Sequence, residues 1–427
     1  MKLRNIIYIF SLIICLISCK SPEEIFNEAE AAYKANDFKK AAELYEDAAN
    51  DGLVEAQFRI ATLYLKGKGV SKDEAKAVEW FTKAAESGHT EAQFELATCY
   101  KDGVGVKTNY DEAVKWFQKS ANSGHIISQY TLGMLYAEGR GVDQNYILAF
   151  DWHMKAANQD HFDSQKCIAT YYYEGLGVEK DYTEAFKWHK IVAEKGDKES
   201  QLIVGKCYYN GTGIERNYNE AYAWFCKAAD QGDATAQYHI GECYLNGNGV
   251  KKNEITAFEW FDKSAQLGCI EAITNLGKCY YEGTGTKADT LKAEPLLLEA
   301  ARNNDIQAQS YLGVIYLTFE PKKDIKEAVK WLKKAAIGGY SDAQYNLAIC
   351  YENGVGVKKD YKQATKWYNK AVAQGHTDAK YNLALCFLEG VGVEQNFDNA
   401  EELLIDAANE GSKDAKDVLD SFYTSEN

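Results

Sequence analysis

Tryptophan recurs through this chain at a fixed interval of 36 residues. All eight tryptophans keep the interval, with one interruption after the sixth: Trp80, Trp116, Trp152, Trp188, Trp224, Trp260, Trp331 and Trp367. Glycines separated by one residue follow the same period: Gly67/Gly69, Gly103/Gly105, Gly139/Gly141, Gly175/Gly177, Gly211/Gly213, Gly247/Gly249, Gly283/Gly285, Gly354/Gly356 and Gly390/Gly392. A period in this range is typical of stacked units that bury their apolar faces only against their neighbours. It therefore overrides the length of 427 residues, which by itself would allow two or three globular domains.

Each repeat has the pattern of two helices joined by a glycine turn. In residues 90–124, Ala92, Leu96 and Cys99 have helical spacing, and the glycine pair that follows ends this helix. The second helix opens at a column that contains only Asp or Asn, as a helix N-cap requires: Asp73, Asn109, Asn145, Asp181, Asn217, Asn253, Asp289, Asp324, Asp360 and Asn396. Glutamate three residues after four of these caps predicts a partial capping box, at Glu112, Glu184, Glu220 and Glu327.

Small residues form two further columns. The first helices carry only Gly or Ala at Ala61, Ala97, Gly133, Ala169, Gly205, Gly241, Gly277, Gly313, Ala348 and Ala384. The second helices carry only Ala at Ala77, Ala113, Ala149, Ala185, Ala221, Ala257, Ala293, Ala328, Ala364 and Ala400. Small seams beside one large aromatic residue predict closely packed antiparallel helix pairs, and we interpret the tryptophans as core residues.

Six of the eleven cysteines share one column of the first helix: Cys99, Cys207, Cys243, Cys279, Cys350 and Cys386. Leucine or isoleucine fills this column in three other repeats, at Leu63, Leu135 and Ile315, so we interpret these cysteines as small apolar core residues. Equivalent positions in neighbouring repeats are expected about 10 Å apart, beyond the roughly 7 Å Cα separation that a disulfide spans. The chain has no C-x-x-C pair, which argues against a zinc site.

The repeat resembles the Sel-like repeat (SLR), an α/α relative of the tetratricopeptide repeat. One repeat shows the motif through Gly241, Tyr244, Gly247, Gly249, Val250, Asn253, Ala257, Trp260, Lys263 and Ala265. The resemblance covers about residues 54–411 and implies an all-α fold, a right-handed α/α superhelical solenoid of about eleven helix pairs.

The first 19 residues resemble a bacterial lipoprotein leader. Lys2 and Arg4 precede an apolar run, Ile6 to Ile17, that is too short to span a bilayer. The run ends in Leu16-Ile17-Ser18-Cys19, which is similar to a lipobox. We therefore expect residues 1–18 to be removed and Cys19 to carry lipid such as palmitate. This places the protein at the bacterial cell envelope, on the outer membrane, the periplasmic face or the cell surface; a plain cleaved signal is the alternative.

One stretch of the array, residues 286–324, departs from the pattern. Pro295 falls inside the second helix, Leu296 replaces the tryptophan, and Pro321 lies where the next glycine pair is missing. An interior proline removes a helical hydrogen bond, so this stretch is either tolerated drift or a joint between two sub-arrays. The expected division of the mature chain is a tetratricopeptide-like cap in 19–53, the array in 54–285, irregular repeats in 286–324, the array again in 325–411, and a C-terminal capping helix and tail in 412–427.

Neither catalytic nor cofactor-binding motifs stand out. The chain has no G-x-S-x-G, H-E-x-x-H, S-x-x-K or P-loop pattern, and its glycine pairs follow helices rather than strands. Its seven histidines do not cluster, and most share columns of the repeat. The formal net charge of −15, without a basic cluster, argues against a nucleic-acid partner. We therefore expect no catalytic residue, metal or cofactor.

A binding surface is expected where the sequence varies while the framework stays fixed. Two columns on the first helices vary in this way, and they share a face by i,i+3 spacing. In tetratricopeptide-like arrays the first helix lines the concave side, so the resemblance places this face in a groove. The candidates are His239, Asn275, Lys278, Asn346 and Asn382. Asparagine amides suit the backbone of an extended peptide; an ordinary solvated face is the alternative.

These observations predict a membrane-tethered interaction scaffold of the bacterial envelope. The expected partner is a protein or peptide, the expected membrane contact is the N-terminal lipid alone, and the chain is expected to be a monomer. A surface or host-interaction factor is one alternative. A second is a β-lactam-binding or -hydrolysing enzyme, because some cysteine-rich proteins of the resembling family have that activity. Those proteins carry a cysteine pair in each repeat, whereas most repeats here carry one cysteine.

Overall fold

The computed structural model describes residues 20–424, which form 23 α-helices, one short 3₁₀ turn and no strand. The predicted leader and Cys19 lie outside the described residues. The helices are α1 (Pro22–Lys34), α2 (Phe38–Asn50), α3 (Val54–Lys66), α4 (Glu74–Glu86), α5 (Thr90–Asp102), α6 (Tyr110–Asn122), α7 (Ile126–Glu138), α8 (Tyr146–Ala157), α9 (Phe162–Glu174), α10 (Tyr182–Glu194), α11 (Lys198–Asn210), α12 (Tyr218–Asp230), α13 (Ala234–Asn246), α14 (Glu254–Gln266), α15 (Ile270–Glu282), α16 (Thr290–Arg302), α17 (Ile306–Thr318), α18 (Ile325–Ile337), α19 (Ser341–Asn353), α20 (Tyr361–Val372), α21 (Thr377–Glu389), α22 (Phe397–Asn409) and α23 (Lys413–Thr424).

The helices follow one another as eleven pairs, α1/α2 to α21/α22, with α23 after the last pair. This confirms the predicted all-α repeat fold and its number of helix pairs. Ala415 and Leu419 of α23 pack with Ala400 and Leu404 of α22, so the final helix covers the apolar side of the final pair.

The described chain divides into two compact units. The first contains the residues up to Ser200 together with Thr212–Glu215, and the second contains Gln201–Gly211 and the residues from Arg216 onward. The irregular stretch 286–324 lies inside the second unit. Each unit has its own core of alanines, aromatic residues and branched aliphatic residues.

The Asp/Asn column caps the second helices, as predicted. The Asn109 side chain, for example, accepts hydrogen bonds from the backbone N–H groups of Asp111 and Glu112 at 3.1 and 3.2 Å. The predicted capping box is wrong at Glu112, because its carboxylate accepts from Lys115 one turn further on, at 3.2 Å. The same exchange occurs at two other caps, in the pairs Glu184–Lys187 and Glu327–Lys330. A lysine at i+3 therefore competes for the carboxylate that would otherwise return to the cap.

The two glycines of each pair have different roles. The first ends the first helix in the left-handed conformation, with φ of 75° at Gly103. The second lies against the preceding repeat: a Cβ on Gly105 would fall 2.2 Å from the carbonyl oxygen of Glu74, the first residue of α4. Gly177 and Gly249 make the same approach to the second helix of the repeat before. Only glycine permits backbone contact this close, so the second glycine fixes how one repeat stacks on the previous one.

The small-residue column of the first helices also confirms its prediction. A Cβ on Gly241 would lie 2.6 Å from the ring of Phe261, and one on Gly313 would lie 2.5 Å from the Leu332 side chain. The bulky residue after each tryptophan position thus fills the space that the missing side chain leaves. The two helices of a pair pack closely because one has a small side chain where the other has a large one.

The six cysteines of the shared column are buried, and all nine described cysteines have free thiols. Burial raises the pKa of the Cys207 thiol to about 11 and that of Cys99 to about 12. These thiols are therefore protonated at neutral pH, and a protonated buried thiol is a poor nucleophile. Their interpretation as core residues is confirmed.

The repeat that contains Pro295 keeps its helix. Helix α16 runs through the proline, whose side chain is exposed, and retains the 13-residue length of its neighbours. A 3₁₀ turn, Glu320–Lys322, replaces the missing glycine loop, and Asp324 still caps α18. Because proline has no N–H, α16 lacks the hydrogen bond that residue 295 would otherwise donate to the Leu291 carbonyl.

We predict that residues 286–324 open locally before the repeats on either side. The change Pro295→Lys introduces the residue found at the equivalent Lys330 and restores the missing donor. It should stabilise α16 by up to about 3 kcal/mol and slow amide exchange in this stretch, measured by hydrogen–deuterium exchange and mass spectrometry. Wild-type protection equal to that of residues 90–200 would show that the array has no weak point here.

Candidate functional site

The first helices of neighbouring repeats contact one another in the second compact unit. Helix α15 contacts both α13 and α17, the first helices of the neighbouring repeats, and α17 also contacts α19. Successive second helices approach each other less closely. The first helices of these repeats therefore form one continuous face in this unit.

Three predicted residues present half-buried side chains on this face. The Asn275 amide donates to the Glu271 carbonyl in its own helix at 2.9 Å. Lys278 lies one turn further along the same helix, and Asn346 occupies the equivalent row on α19. These side chains remain partly accessible without exposing the core.

The other two predicted residues are engaged in internal contacts. His239 stacks on Phe225 with ring centroids 4.8 Å apart, and its Nδ1 lies 2.9 Å from Oε2 of Glu242. The Asn382 amide donates to the hydroxyl of Tyr368 in the preceding helix at 3.1 Å. Both residues lie on the predicted face, but their polar atoms help to hold the array together.

Lysine covers the tryptophan rings, a feature that sequence reasoning missed. The lysine three residues after the tryptophan places its ammonium 3.4–4.4 Å from the ring centroid in seven repeats: Lys83, Lys119, Lys155, Lys227, Lys263, Lys334 and Lys370. The motif places Lys three residues after Trp, and this i,i+3 spacing is the sequence signal that predicts the contact between the lysine and the ring. Because the lysines occupy these rings, these seven tryptophans are not free to stack on a ligand.

Four histidines are helix caps rather than a reactive cluster. The Nδ1 atom of His125 accepts a hydrogen bond from the Ser128 backbone N–H at 3.1 Å, and three other repeats repeat the contact at His89, His161 and His376. Asp197, Asp233 and Asp305 make the same cap with a carboxylate in other repeats. The shared His/Asp column was therefore a capping signal, since both side chains supply an acceptor.

Two buried histidines occupy the core position that is phenylalanine in most repeats. His153 is fully buried, and among the described residues neither ring nitrogen has a hydrogen-bond partner. His189 is nearly as buried, and its Nδ1 also lacks a partner. Burial lowers the pKa of both rings from 6.5 to about 4. At neutral pH these uncharged rings fill space as Phe81 and Phe117 do in other repeats.

These histidines predict acid sensitivity of the first unit. Their pKa is lower in the folded chain, so unfolded chain binds more protons between about pH 6.5 and pH 4, and stability falls as pH decreases through that window. The loss should be about 2 kcal/mol per histidine at pH 5 relative to pH 7.5. His153→Phe with His189→Phe should remove this loss, measured by urea unfolding at the two pH values. His376→Asp is the control, and an unchanged pH dependence in the double variant would contradict the prediction.

The described residues contain no group of three or more His, Cys, Asp and Glu side chains arranged to hold a metal ion. Among the same residues, every helix is too short or too polar to cross a bilayer. The first unit does have an open groove of about 750 Å³, lined by residues 90–91, 123–127 and 159–162. It lies where three consecutive first helices begin.

A family model described as the Sel1 repeat matches eleven segments of the chain. They are residues 32–53, 54–89, 90–125, 126–161, 168–197, 198–233, 234–269, 270–305, 306–340, 341–376 and 377–412. The chain belongs to the Sel1 repeat family. The match includes residues 32–53, which correspond to the end of α1 and to α2.

A solved structure agrees with this assignment. A protective antigen of uropathogenic Escherichia coli strains, which displays an SLR fold, is 32% identical, with a TM-score of 0.77 over 93% of this chain and 89% of that chain. A Sel1 repeat protein from Oxalobacter formigenes is 33% identical over 57% of this chain and 99% of that chain, with a TM-score of 0.47.

Curated relatives match only short segments. An F-box protein of Arabidopsis thaliana is 50% identical over 46 residues, which span 11% of this chain and 13% of that protein. The DAP3-binding cell death enhancer 1 of Rattus norvegicus is 47% identical over 51 residues, spanning 12% and 10%. These matches reflect the shared repeat. The repeat array as a whole has the architecture of a protein–protein interaction scaffold.

Proposed function

We propose that this protein is a lipid-anchored scaffold of the bacterial cell envelope that binds an extended segment of a partner protein along the first helices. The observation that carries the proposal is the half-buried polar row formed by Asn275, Lys278 and Asn346. Framework columns are fixed by packing, whereas this row changes from repeat to repeat and is not needed to close the core. Surface residues that vary on a constant frame are suited to recognising one partner.

The chemistry of the row favours a peptide backbone over a small molecule. Asn275 and Asn346 each offer an amide with both donor and acceptor capacity, which matches the N–H and C=O groups of an extended strand. Lys278 adds one positive charge, one turn beyond Asn275 on the same helix. His239 and Asn382 act as supports, since their polar atoms already bond to Glu242 and Tyr368.

We expect loss of partner binding when this row is truncated. Purified chain carrying Asn275→Ala and Asn346→Ala should capture about tenfold less of its partner from envelope extract than the unchanged chain does. The reason is that each lost amide contact is worth about 1 kcal/mol. The captured proteins are quantified by mass spectrometry. The matched control is Glu259→Ala with Lys366→Ala, exposed positions on the second helices α14 and α20. Equal capture by both variants would contradict the proposal.

The anchor rests on the sequence around Cys19. Cys19→Ser removes the thiol that would carry lipid, so the protein should move from the membrane fraction to the soluble fraction. Fractionation with immunoblotting and metabolic labelling with a fatty acid measure the change. A Cys99→Ser variant is the control, because that thiol is buried in the core. Membrane retention of Cys19→Ser would show that the protein is not held by lipid at this position.

A second candidate is a surface factor that meets the host. It is supported by the similarity to the uropathogenic Escherichia coli protein, which is described as a protective antigen. Protease shaving of intact cells separates the two: a surface factor is cleaved, and a periplasmic scaffold is protected until the outer membrane is opened. The free state of all nine described cysteines gives no support to a β-lactam-directed enzyme of the cysteine-rich type.

A further inference from the structure

The second residue of the first helices is acidic in most repeats, and Ile127 is the exception. The acidic members of this row are Glu55, Glu91, Asp163, Glu199, Glu271, Asp342 and Asp378, and the polar members are Thr235 and Gln307. Ile127 exposes 42% of its surface in this otherwise polar row. A large aliphatic side chain at a position that other repeats make charged is not needed for the fold.

Ile127 lies in the open groove of the first unit. Phe162, the first residue of α9, lines the same groove and is 36% exposed, and Ile126 contributes a third apolar side chain. Along α7 the same face continues through Thr131 and Met134, which are half-buried. The groove therefore has an apolar floor wide enough for a side chain of a ligand.

Two carboxylates without an ion-pair partner in residues 20–424 adjoin these apolar residues: Glu91 lines the groove, and Asp163 follows Phe162 in the chain. Among the described residues, neither carboxylate forms a hydrogen bond or an ion pair within 4 Å. They lie on α5 and α9, the first helices on either side of α7.

Two other acids of the same row have cationic partners within the protein. Glu55 lies 3.0 Å from His89 and 3.2 Å from Arg59, and Glu199 accepts from Lys166 at 3.1 Å. The groove thus combines an unusual apolar site with uncompensated negative charge, on a chain whose formal net charge is −15. A bound segment with positive charges beside an apolar side chain would satisfy both features.

We propose that this groove binds an extended segment of a partner protein in which an aliphatic or aromatic side chain is flanked by Lys or Arg. The apolar side chain packs on Ile127 and Phe162, and the cations pair with Glu91 and Asp163. This inference rests on the proposed function as a scaffold for protein segments. It adds a second site, in the other compact unit, and states the chemistry of the segment.

The test uses the full chain, solubilised in mild detergent, and a random-peptide phage library. Selection should enrich peptides in which an apolar residue is flanked by Lys or Arg. A fluorescein-labelled peptide of the enriched consensus is then titrated by fluorescence anisotropy. Ile127→Gln should raise its Kd by about tenfold or more, because the apolar contact is lost, and Gln307 shows that the repeat accepts this residue.

Two further variants complete the design. Ile147→Gln changes an exposed isoleucine on α8 that does not line the groove, and it should leave the Kd unchanged. Glu91→Gln with Asp163→Asn should weaken binding and reduce its dependence on salt, since the removed charges are those that salt screens.

The proposal is overturned if the enriched peptides lack basic residues, or if Ile127→Gln leaves the Kd unchanged. It is also overturned if the chain is a dimer in sedimentation analysis that Ile127→Gln converts to a monomer, because a second copy then covers the groove. A further outcome is that the enriched peptides stop binding to the Asn275→Ala, Asn346→Ala variant and still bind to the Ile127→Gln variant. That result would support the scaffold function and contradict the site in this groove.

Discussion

Close backbone approach between neighbouring helices is the constraint on which the rest of this structure depends. The second glycine of each pair rests on the start of the preceding second helix, and the small column of the first helix receives a bulky residue from its partner. The glycine contact tolerates no added methyl group without movement, and the small column contains nothing larger than Ala. Packing therefore fixes the general character of these columns, and sequence change is found mainly at the exposed positions of each helix.

This constraint explains what could be predicted from the sequence. The predictions of the helix caps, the small-residue columns and the buried cysteines were correct because each is set by contacts that recur from repeat to repeat. The same residue type therefore recurs at the same position along the chain. The capping box at Glu112 was wrong because Lys115, three residues further along the helix, competes for the same carboxylate. The only sequence signal for the histidine caps is that aspartate replaces histidine in the same column. The two side chains share a hydrogen-bond acceptor and not a charge.

The candidate binding face was harder to predict, for a physical reason. Spacing identifies which residues share the face, but it does not show which of them are already bonded to another helix. His239 and Asn382 were indistinguishable from Asn275 in the sequence, and only the positions of Phe225 and Tyr368 separate them. The same holds for Ile127: its departure from an acidic row is readable, whereas the unpaired state of the acids beside it needs coordinates.

The glycine contact has a further consequence, for the order in which the chain acquires structure. Each loop docks on a helix that begins about 31 residues earlier, as Gly105 does on Glu74, and never on one that is still to come. Because these docking contacts span about one repeat, each repeat that leaves the ribosome can pack on one that is already folded. The array is thus suited to vectorial growth, in which the amino-terminal pair acts as the seed and no long-lived partly folded chain is exposed.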